Sequence, residues 1–305
     1  MNRPTNKCII QKYLDHYDYS SQSVRMRKSS LNYFFGKKSE KCLGYSRHVF
    51  DINTDILINY FEFLNKLKNI SLTTKKGKWA IIKSFLNFCM EKYRDYNFIV
   101  IFPKTTIKWA NNHKIADSNK DIILDLDEIK KILGFLRNNN FKQYIILKLL
   151  IETGSRLSEL LSIQINDLNL EKRYVNCRGK TGEKIYYFSL ELAKNLKQYY
   201  NERISMKNKK TNALFLNQNL NAYSNRSIQL IIDNTCEKCN ITKNISPHTF
   251  RRTLNTLRKR IGCDNETAKM LLGHKLSDVN MASYTVFDYE DYIKLFDKYN
   301  PYIEI

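Results

Sequence analysis

The sequence predicts a mainly α-helical protein that carries a small β sheet or hairpin and is divided into two domains. Its 305 residues are enough for two domains that each bury a core. Only 9 glycines and 4 prolines interrupt it, which favours helices over a turn-rich β architecture. A polar, aperiodic stretch beginning at Pro103 separates two series of helical patterns. We therefore expect a helical domain over residues 1–110, a linker at about 103–120 and a second domain over 121–305.

The charge of the chain favours a polyanionic partner. Lys and Arg number 51 against 30 Asp and Glu, which gives a formal net charge of +21. A surplus of this size repels itself in a folded chain, and a nucleic acid compensates it. Residues 1–120 hold 22 of the basic residues and only 9 acidic ones, so the first domain is the more basic part. The alternative is a soluble basic protein without a nucleic-acid role.

Three segments of the first domain have apolar residues at helical spacing. They read SVRMRKSSLNYFF, TDILINYFEFLNKLK and TTKKGKWAIIKSFLNFCMEKY, and Thr54 is the expected N-cap of the second. We expect a small basic helical bundle over about residues 8–100. Its candidates for DNA contact are Arg25, Arg27, Lys28, Lys75, Lys76 and Lys78. For each of these, a solvated helix face is the alternative.

Membrane, secreted and metal-dependent classes are disfavoured. Apolar runs such as Tyr144–Ile151 are too short to cross a bilayer, and the first residues lack a signal-peptide core. The 7 cysteines are irregularly spaced, which fits a reducing cytoplasm. Cys236 and Cys239 have C-x-x-C spacing, but no second ligand pair stands near them to complete a zinc site. We expect no metal and no cofactor.

Two motifs of the second domain carry candidate phosphate-binding cations. Helical spacing resumes at LDEIKKILGFL, and RYVNCRGKTGEKIYYFSL alternates as a β-hairpin does. In TGSRLSELLSI, Arg156 is expected on the first turn of a helix, with Glu159 on the same face to orient its guanidinium. Lys180 is expected on the hairpin turn, and Lys184 competes with it. Alone, such residues are ordinary surface charges.

Two further motifs add histidines, an arginine and a tyrosine. In SPHTFRRTLNT, Ser246 and Pro247 suit the start of a helix that presents His248 and Arg251 together at its positive end. In LGHKLSDVNMASYT, His274 follows a glycine that would end the preceding helix. Tyr284 comes ten residues later and would alone be read as a packing residue.

Taken in order, the four motifs resemble those of the tyrosine recombinases, the superfamily of lambda integrase, Xer and Cre. The resemblance covers essentially the whole chain, because the N-terminal helices are similar to the family's core-binding domain. It implies a SAM-like core-binding helical bundle, a DNA breaking–rejoining catalytic domain and a C-terminal helical tail. Because only about 150 residues precede Arg156, the arrangement resembles the compact Xer and Cre proteins without an arm-binding domain.

The resemblance also implies a reaction. Tyr284 would attack the scissile phosphate to form a 3′-phosphotyrosyl ester and free a 5′-hydroxyl, without ATP or metal. Arg156 and Arg251 would clamp the phosphate, with a hydrogen bond from His274. The remaining roles would be general acid for Lys180, proton acceptor or phosphate positioning for His248, and support of the site for Glu159.

The expected partner is double-stranded DNA with specific recombination sites, bound by a homotetramer. The two domains would grip opposite faces of the duplex, mostly through phosphates. The tail has an apolar stripe formed by Tyr292, Leu295, Phe296 and Tyr299. It is expected to pack on a neighbouring protomer, with its own domain as the alternative.

Two departures from the family pattern leave alternatives open. Arg252 stands where many relatives have histidine, and the interval from His274 to Tyr284 is one residue longer than is most common. Tyr289 and Tyr292 therefore remain rival nucleophiles. The rival functions are a type IB topoisomerase and a catalytically silent DNA-binding accessory protein. Integration, excision and dimer resolution are not distinguished, and the site of action is a prokaryotic cytoplasm or, for a viral or plasmid enzyme, the host's.

Overall fold

The computed structural model describes residues 3–35, 47–103, 122–179, 182–207, 210–273 and 288–303. Over these residues the protein is mainly helical with one small antiparallel sheet, which confirms the predicted fold class. The chain divides into two compact units, Met1–Asp117 and Ser118–Ile305. Most of the predicted linker lies outside the described residues. None of the described helices is long and apolar enough to cross a membrane.

The described residues of the first unit form four α-helices. They are α1 (Asn6–His16), α2 (Ser21–Phe35), α3 (Thr54–Lys66) and α4 (Leu72–Lys92). Helices α2, α3 and α4 correspond to the three predicted segments, and α1 is additional. The N-cap of α3 is Asn53 rather than Thr54, because the Asn53 side chain accepts the backbone N–H of Ile56 at 3.0 Å. The Thr54 hydroxyl donates instead to the carbonyl of Ile101, at 2.9 Å.

Aromatic rings from different helices form much of the core of this unit. Tyr13, Phe34, Tyr60 and Phe85 are fully buried. The rings of Phe34 and Tyr60 lie edge to face, 4.7 Å apart, and those of Tyr13 and Phe85 do so at 5.3 Å. Burial of one such ring contributes about 1.5–3 kcal/mol. This core holds the basic surfaces of α2 and α4 on a rigid support.

The second unit is built around a buried helix. Its helices are α5 (Leu126–Asn139), α6 (Phe141–Thr153), α7 (Leu157–Ser162), α8 (Leu190–Ser205), α9 (Asn225–Lys238), α10 (Pro247–Arg260), α11 (Asn265–Leu271) and α12 (Tyr289–Lys298). Every residue of α6 from Tyr144 to Thr153 is buried, as in a helix surrounded by protein. The apolar run that was too short to span a membrane is therefore the central helix of this unit's core.

Three antiparallel strands form the sheet. They are β1 (Leu168–Asn169), β2 (Tyr174–Gly179) and β3 (Gly182–Tyr187), in that spatial order. Strands β2 and β3 form the predicted hairpin, in which Cys177 pairs with Lys184 and Val175 with Tyr186. These four residues are buried while their neighbours along each strand are more exposed, so one face of the hairpin packs on the domain core.

The described part of the tail packs on its own domain, which was the alternative considered for the sequence. Phe296 and Tyr302 are buried. The guanidinium of Arg258 lies 5.9 Å from the Phe296 ring, and Arg173 forms a two-pronged ion pair with Asp297 at 2.7 and 3.0 Å. Packing of the tail on a neighbouring protomer stays a prediction for the assembled complex.

Candidate active site

Arg156 lies at a sharp corner between helices α6 and α7. Gly154 ends α6 with a φ of +60°, a conformation that favours glycine. A Cβ at this position would meet side-chain atoms of Leu254 and Leu272 at 2.9 Å, so the corner also packs too tightly for a side chain. Arg156 follows as the N-cap of α7, one position before the first turn on which it was expected. Its side chain is 46% exposed, which leaves it accessible to a ligand.

Glu159 is the hub of the site, because four hydrogen bonds converge on its buried carboxylate. The backbone N–H and guanidinium of Arg156 donate to it at 2.8 and 2.9 Å. The Lys184 ammonium donates at 2.8 Å and the Tyr186 hydroxyl at 2.7 Å. Burial alone would raise the pKa of Glu159, but these hydrogen bonds outweigh it and lower the pKa to about 2. Glu159 is therefore ionised at any physiological pH.

The hairpin approaches this carboxylate closely. Gly179, the last residue of β2, lies so near that a Cβ there would stand 2.8 Å from a carboxylate oxygen of Glu159. Glycine is therefore required at the point where the strand leads into the predicted Lys180 turn. The close approach fixes the base of that turn beside the Arg156 motif.

Arg251 joins the second arginine motif to the first. It lies on α10 and is 6% exposed. Its guanidinium donates to the carbonyl of Gly154 at 2.6 Å and to that of Leu272 at 3.0 Å. A planar guanidinium held by two carbonyls has a fixed orientation. Arg251 therefore contacts the backbone two positions before Arg156, although 95 positions separate the two arginines in the sequence.

His248 lies one turn before Arg251, at the start of α10. The predicted cap is present, with Ser246 as the N-cap and Pro247 as the first helical residue. Partial burial and nearby positive charge lower the pKa of His248. The charges belong to Arg252, Arg251 and Arg156. The lowered pKa favours a neutral imidazole near pH 7.

The segment leading to His274 begins beside the hairpin and Arg251. Gly273 follows α11 with a φ of +67°. A Cβ there would lie 3.1 Å from the Lys184 side chain and 3.3 Å from the Tyr186 ring. The carbonyl of Leu272 accepts from both the Tyr186 hydroxyl, at 3.3 Å, and Arg251. The residue immediately before His274 therefore packs on the hairpin and beside both arginine motifs.

Three of the predicted catalytic residues, Lys180, His274 and Tyr284, lie outside the described residues, so their roles stay predictions. Lys184, the competitor of Lys180, is held in the buried ion pair with Glu159. Its side chain is only 7% exposed, which favours a supporting role over proton donation to a ligand.

The rival tyrosines are both engaged in packing. The Tyr292 ring stacks on Tyr187 with centroids 5.5 Å apart. Tyr289 contacts the rings of Tyr174 and Tyr187 at 6.5 and 6.3 Å. These contacts hold the start of α12 against the sheet, as expected of structural aromatic residues.

The six basic residues proposed for DNA contact fall into three groups. Arg25, Lys28 and Lys76 are exposed. The prediction for Lys75 is wrong. It is buried and its ammonium donates to the carbonyl of Asn65 at 2.9 Å, so it stabilises the fold instead of facing DNA. Arg27 lies over the Tyr19 ring at 3.8 Å and Lys78 over the Tyr33 ring at 4.1 Å, so both are partly engaged in cation–π contacts.

No group of three or more His, Cys, Asp or Glu side chains able to hold a metal ion occurs among the described residues. Burial raises the pKa of both C-x-x-C thiols, Cys236 and Cys239. The Cys239 thiol donates to the carbonyl of Lys131, at 3.5 Å. Both are protonated thiols at neutral pH.

Sequence reasoning missed Tyr186, and it considered Lys184 only as a competitor of Lys180 and not as a partner of Glu159. Their signal was present, because residues two apart on a strand point to the same face. The apolar positions Val175 and Cys177 mark the buried face of the partner strand. Pairing the two strands by that alternation would have placed Lys184 and Tyr186 on the core side, although it would not have identified Glu159 as their acceptor.

Residues 123–290 match the Phage integrase family. The chain belongs to that family. It is 30% identical over 233 residues to tyrosine recombinase XerD of Staphylococcus saprophyticus, covering 73% of this chain and 74% of that one. It is also 26% identical over 306 residues to tyrosine recombinase XerC of Thermodesulfovibrio yellowstonii, covering 96% of each. The resemblance read from the motifs is confirmed.

Solved structures share the fold. A Tn1549 transposon integrase in complex with transposon right end DNA superposes with a TM-score of 0.68 and 16% identity, covering 95% of this chain and 98% of that one. The XerH recombinase bound to its difH substrate gives a TM-score of 0.65 and 17% identity, covering 96% and 84%. These similarities extend along nearly the whole chain, so both units belong to the shared architecture.

Proposed function

We propose that this chain is a site-specific DNA recombinase that cuts and rejoins DNA through a 3′-phosphotyrosyl intermediate. The observation that carries the proposal is the meeting of the two arginine motifs. The guanidinium of Arg251 binds the Gly154 carbonyl at 2.6 Å, which places it beside the corner that presents Arg156. Two guanidinium groups on rigid elements suit the non-bridging oxygens of a phosphodiester.

The chemistry conserves the energy of the broken bond. The Tyr284 oxygen attacks phosphorus, the bond from phosphorus to the 5′ oxygen breaks, and the strand stays attached as a tyrosyl ester. Lys180 gives a proton to the leaving 5′ oxygen. Attack by the 5′-hydroxyl of a partner strand then reverses these steps and releases Tyr284. Because one ester replaces another, no nucleotide hydrolysis is needed.

Protein groups around the phosphate supply the remaining roles. The negative charge that builds on phosphorus oxygens is stabilised by Arg156 and Arg251, with a hydrogen bond from His274. The lowered pKa of His248 suits an imidazole that accepts the tyrosine proton or positions the phosphate. Glu159 supports the site by holding Arg156 in place, as its two hydrogen bonds from that residue indicate.

The assembly we propose is a homotetramer on two duplex recombination sites. A lambda integrase described as a tetramer bound to a Holliday junction has the same fold, with a TM-score of 0.62. The net charge of +21 supports a DNA partner, and no small-molecule substrate is required. We place the reaction in the cytoplasm, of a prokaryote or of the host of a viral or plasmid enzyme. The residues 1–110 and 121–305 would serve as core-binding and catalytic domains.

Covalent capture of DNA tests the proposal. The protein is incubated in EDTA with sheared DNA of the replicon that carries its gene, and fragments that remain bound in SDS are sequenced. A duplex carrying the recovered site, nicked just 3′ of the scissile phosphate, then traps the intermediate because the short 5′-hydroxyl fragment diffuses away. We expect an SDS-resistant, protease-sensitive adduct that retains the 5′ label of the cut strand.

Two results would contradict this function. If neither the sheared DNA nor the nicked duplex gives an adduct, the chain is a silent DNA-binding protein. If the purified protein relaxes supercoiled plasmids that lack the site, and two-site plasmids give no recombinant product, it is a topoisomerase of type IB.

The exposed cations of the first unit give a separate prediction. Replacing Arg25, Lys28 and Lys76 together with glutamine should lower the slope of log affinity against log salt by up to about 3, since each phosphate contact contributes about 0.9. Lys75→Met should leave that slope unchanged and reduce the free energy of unfolding by about 1–3 kcal/mol, because the hydrogen bond from the buried Lys75 to the carbonyl of Asn65 is lost. Fluorescence anisotropy with a 30-base-pair duplex and thermal melts measure the two effects. An unchanged slope in the triple variant would remove this surface from the DNA interface.

A further inference from the structure

Lys184 and Tyr186 link the parts of the site that bind phosphate, and no role has yet been given to them. They stand two residues apart on β3 and both face the domain core. Lys184 donates to one carboxylate oxygen of Glu159 and Tyr186 to the other, at 2.8 and 2.7 Å. The same two oxygens receive the guanidinium and backbone N–H of Arg156. The orientation of the Arg156 motif therefore depends on an acceptor that the hairpin also holds.

Tyr186 extends this linkage to the second arginine. Its hydroxyl lies 3.3 Å from the carbonyl of Leu272, which also accepts from Arg251 at 3.0 Å. One phenol therefore contacts the acceptors of both arginines. Gly273 packs directly on the Lys184 and Tyr186 side chains.

Lys184 also compensates the negative charge of Glu159. Arg156 and Arg251 bring two positive charges, and the buried carboxylate of Glu159 cancels one of them. Lys184 offsets that carboxylate through an ion pair in which both side chains are at most 7% exposed. A phosphodiester attacked by a tyrosinate carries two negative charges in the transition state. The full positive charge of both arginines is thus available to it only while Glu159 is paired with Lys184.

We propose that Lys184 and Tyr186 are positioning residues for strand cleavage: Lys184 neutralises Glu159 so that Arg156 keeps its charge for the phosphate, and Tyr186 fixes the two acceptors that orient Arg156 and Arg251. This inference rests on the proposed recombinase function. It assigns to β3 a task distinct from that of the Lys180 turn, which would transfer a proton. Neither residue needs to touch DNA.

The test separates DNA affinity from the rate of cleavage. Single-turnover adduct formation on the nicked duplex is measured at saturating protein, and the Kd for the same duplex is measured by anisotropy. Lys184→Met should slow adduct formation by about 10- to 100-fold, the equivalent of one lost charged hydrogen bond, with Kd within about threefold of the original protein. Tyr186→Phe keeps every charge and should slow it by about 3- to 10-fold. Lys194→Met removes an exposed lysine of the same unit and should change neither quantity.

A double variant distinguishes charge compensation from loss of packing. Glu159→Gln in the Lys184→Met protein removes the uncompensated carboxylate, so the double variant should form adduct faster than Lys184→Met alone. The inference is overturned if Lys184→Met cleaves within about twofold of the original protein, if it loses only DNA affinity, or if the double variant is no faster. Should Lys184→Met not fold, Tyr186→Phe decides alone, and an unchanged rate at saturation rejects the inference. An original protein that forms no adduct would instead reject the proposed function itself.

Discussion

Replacing Tyr284 with phenylalanine is expected to abolish the covalent protein–DNA adduct, with DNA affinity kept within about twofold. The substitution removes one oxygen atom and leaves the ring, so packing is preserved while the nucleophile is lost. Loss of a nucleophile costs an enzyme at least about 10³-fold in rate, because water in the same site is far less reactive toward the substrate. The measurement is adduct formation on the nicked duplex, with anisotropy on the same DNA for affinity.

The two rival tyrosines provide matched controls for this experiment. The rings of Tyr289 and Tyr292 pack against Tyr187, on the sheet. Tyr289→Phe and Tyr292→Phe keep those rings and should form the adduct at close to the original rate. An adduct that persists in Tyr284→Phe and disappears in one of these variants would transfer the nucleophile to that residue. It would also show that the longer interval after His274 had misled the assignment.

Local patterns in the sequence were sufficient to predict α2, α3 and α4 of the first unit and the start of α10 in the second. The start of α10 illustrates this, because Ser246 and Pro247 determine it through interactions within one turn. The N-cap of α3 was displaced by one residue, since Asn53 and Thr54 can both cap and only the contact of Thr54 with Ile101 distinguishes them. Which of two adjacent residues caps a helix therefore depends on contacts with distant parts of the chain, and the local sequence does not encode it.

For basic residues too, the local sequence does not decide which side chains are buried. Lys75 and Lys76 are neighbours in one lysine-rich run, yet the first is buried and the second exposed. A 100° rotation per residue about the helix axis separates them, and the face that meets the core is decided by the packing of α4 on α3 and α2. In the second unit, Lys184 was considered as a competitor of Lys180, whereas its strand register directs it toward Glu159. Composition predicts that charge is present, and tertiary structure decides what each charge does.

The meeting of the arginine motifs could be inferred from the family resemblance alone, and its physical cause became visible only in the fold. The corner at Gly154 exposes a carbonyl at the end of α6, and the Leu272 carbonyl lies at the end of α11. Carbonyls at helix C-termini carry partial negative charge and attract cations. Arg251 binds both, so the ends of two helices hold the guanidinium that is proposed to bind phosphate.

Arg251→Lys is expected to slow adduct formation by about 10²- to 10³-fold at saturating DNA, the usual cost of losing one donor to a developing negative charge. The lysine keeps the positive charge, so the Kd should change by less than about threefold. An ammonium lacks the planar fork that holds the Gly154 and Leu272 carbonyls at 2.6 and 3.0 Å, and it is therefore oriented less firmly toward the phosphate. Loss of either buried contact should also lower the free energy of unfolding by about 1–3 kcal/mol.

The matched control is Arg260→Lys, an exposed position near the end of the same helix, which should leave the cleavage rate and the unfolding transition unchanged. Rates are compared at a temperature at which melting curves show every variant to be folded, so that lost stability does not count as lost activity. If Arg251→Lys cleaves within about threefold of the original protein, charge alone suffices at this position. The two carbonyls would then serve the fold, and the proposed clamp on the phosphate would have to be built from Arg156 and other groups.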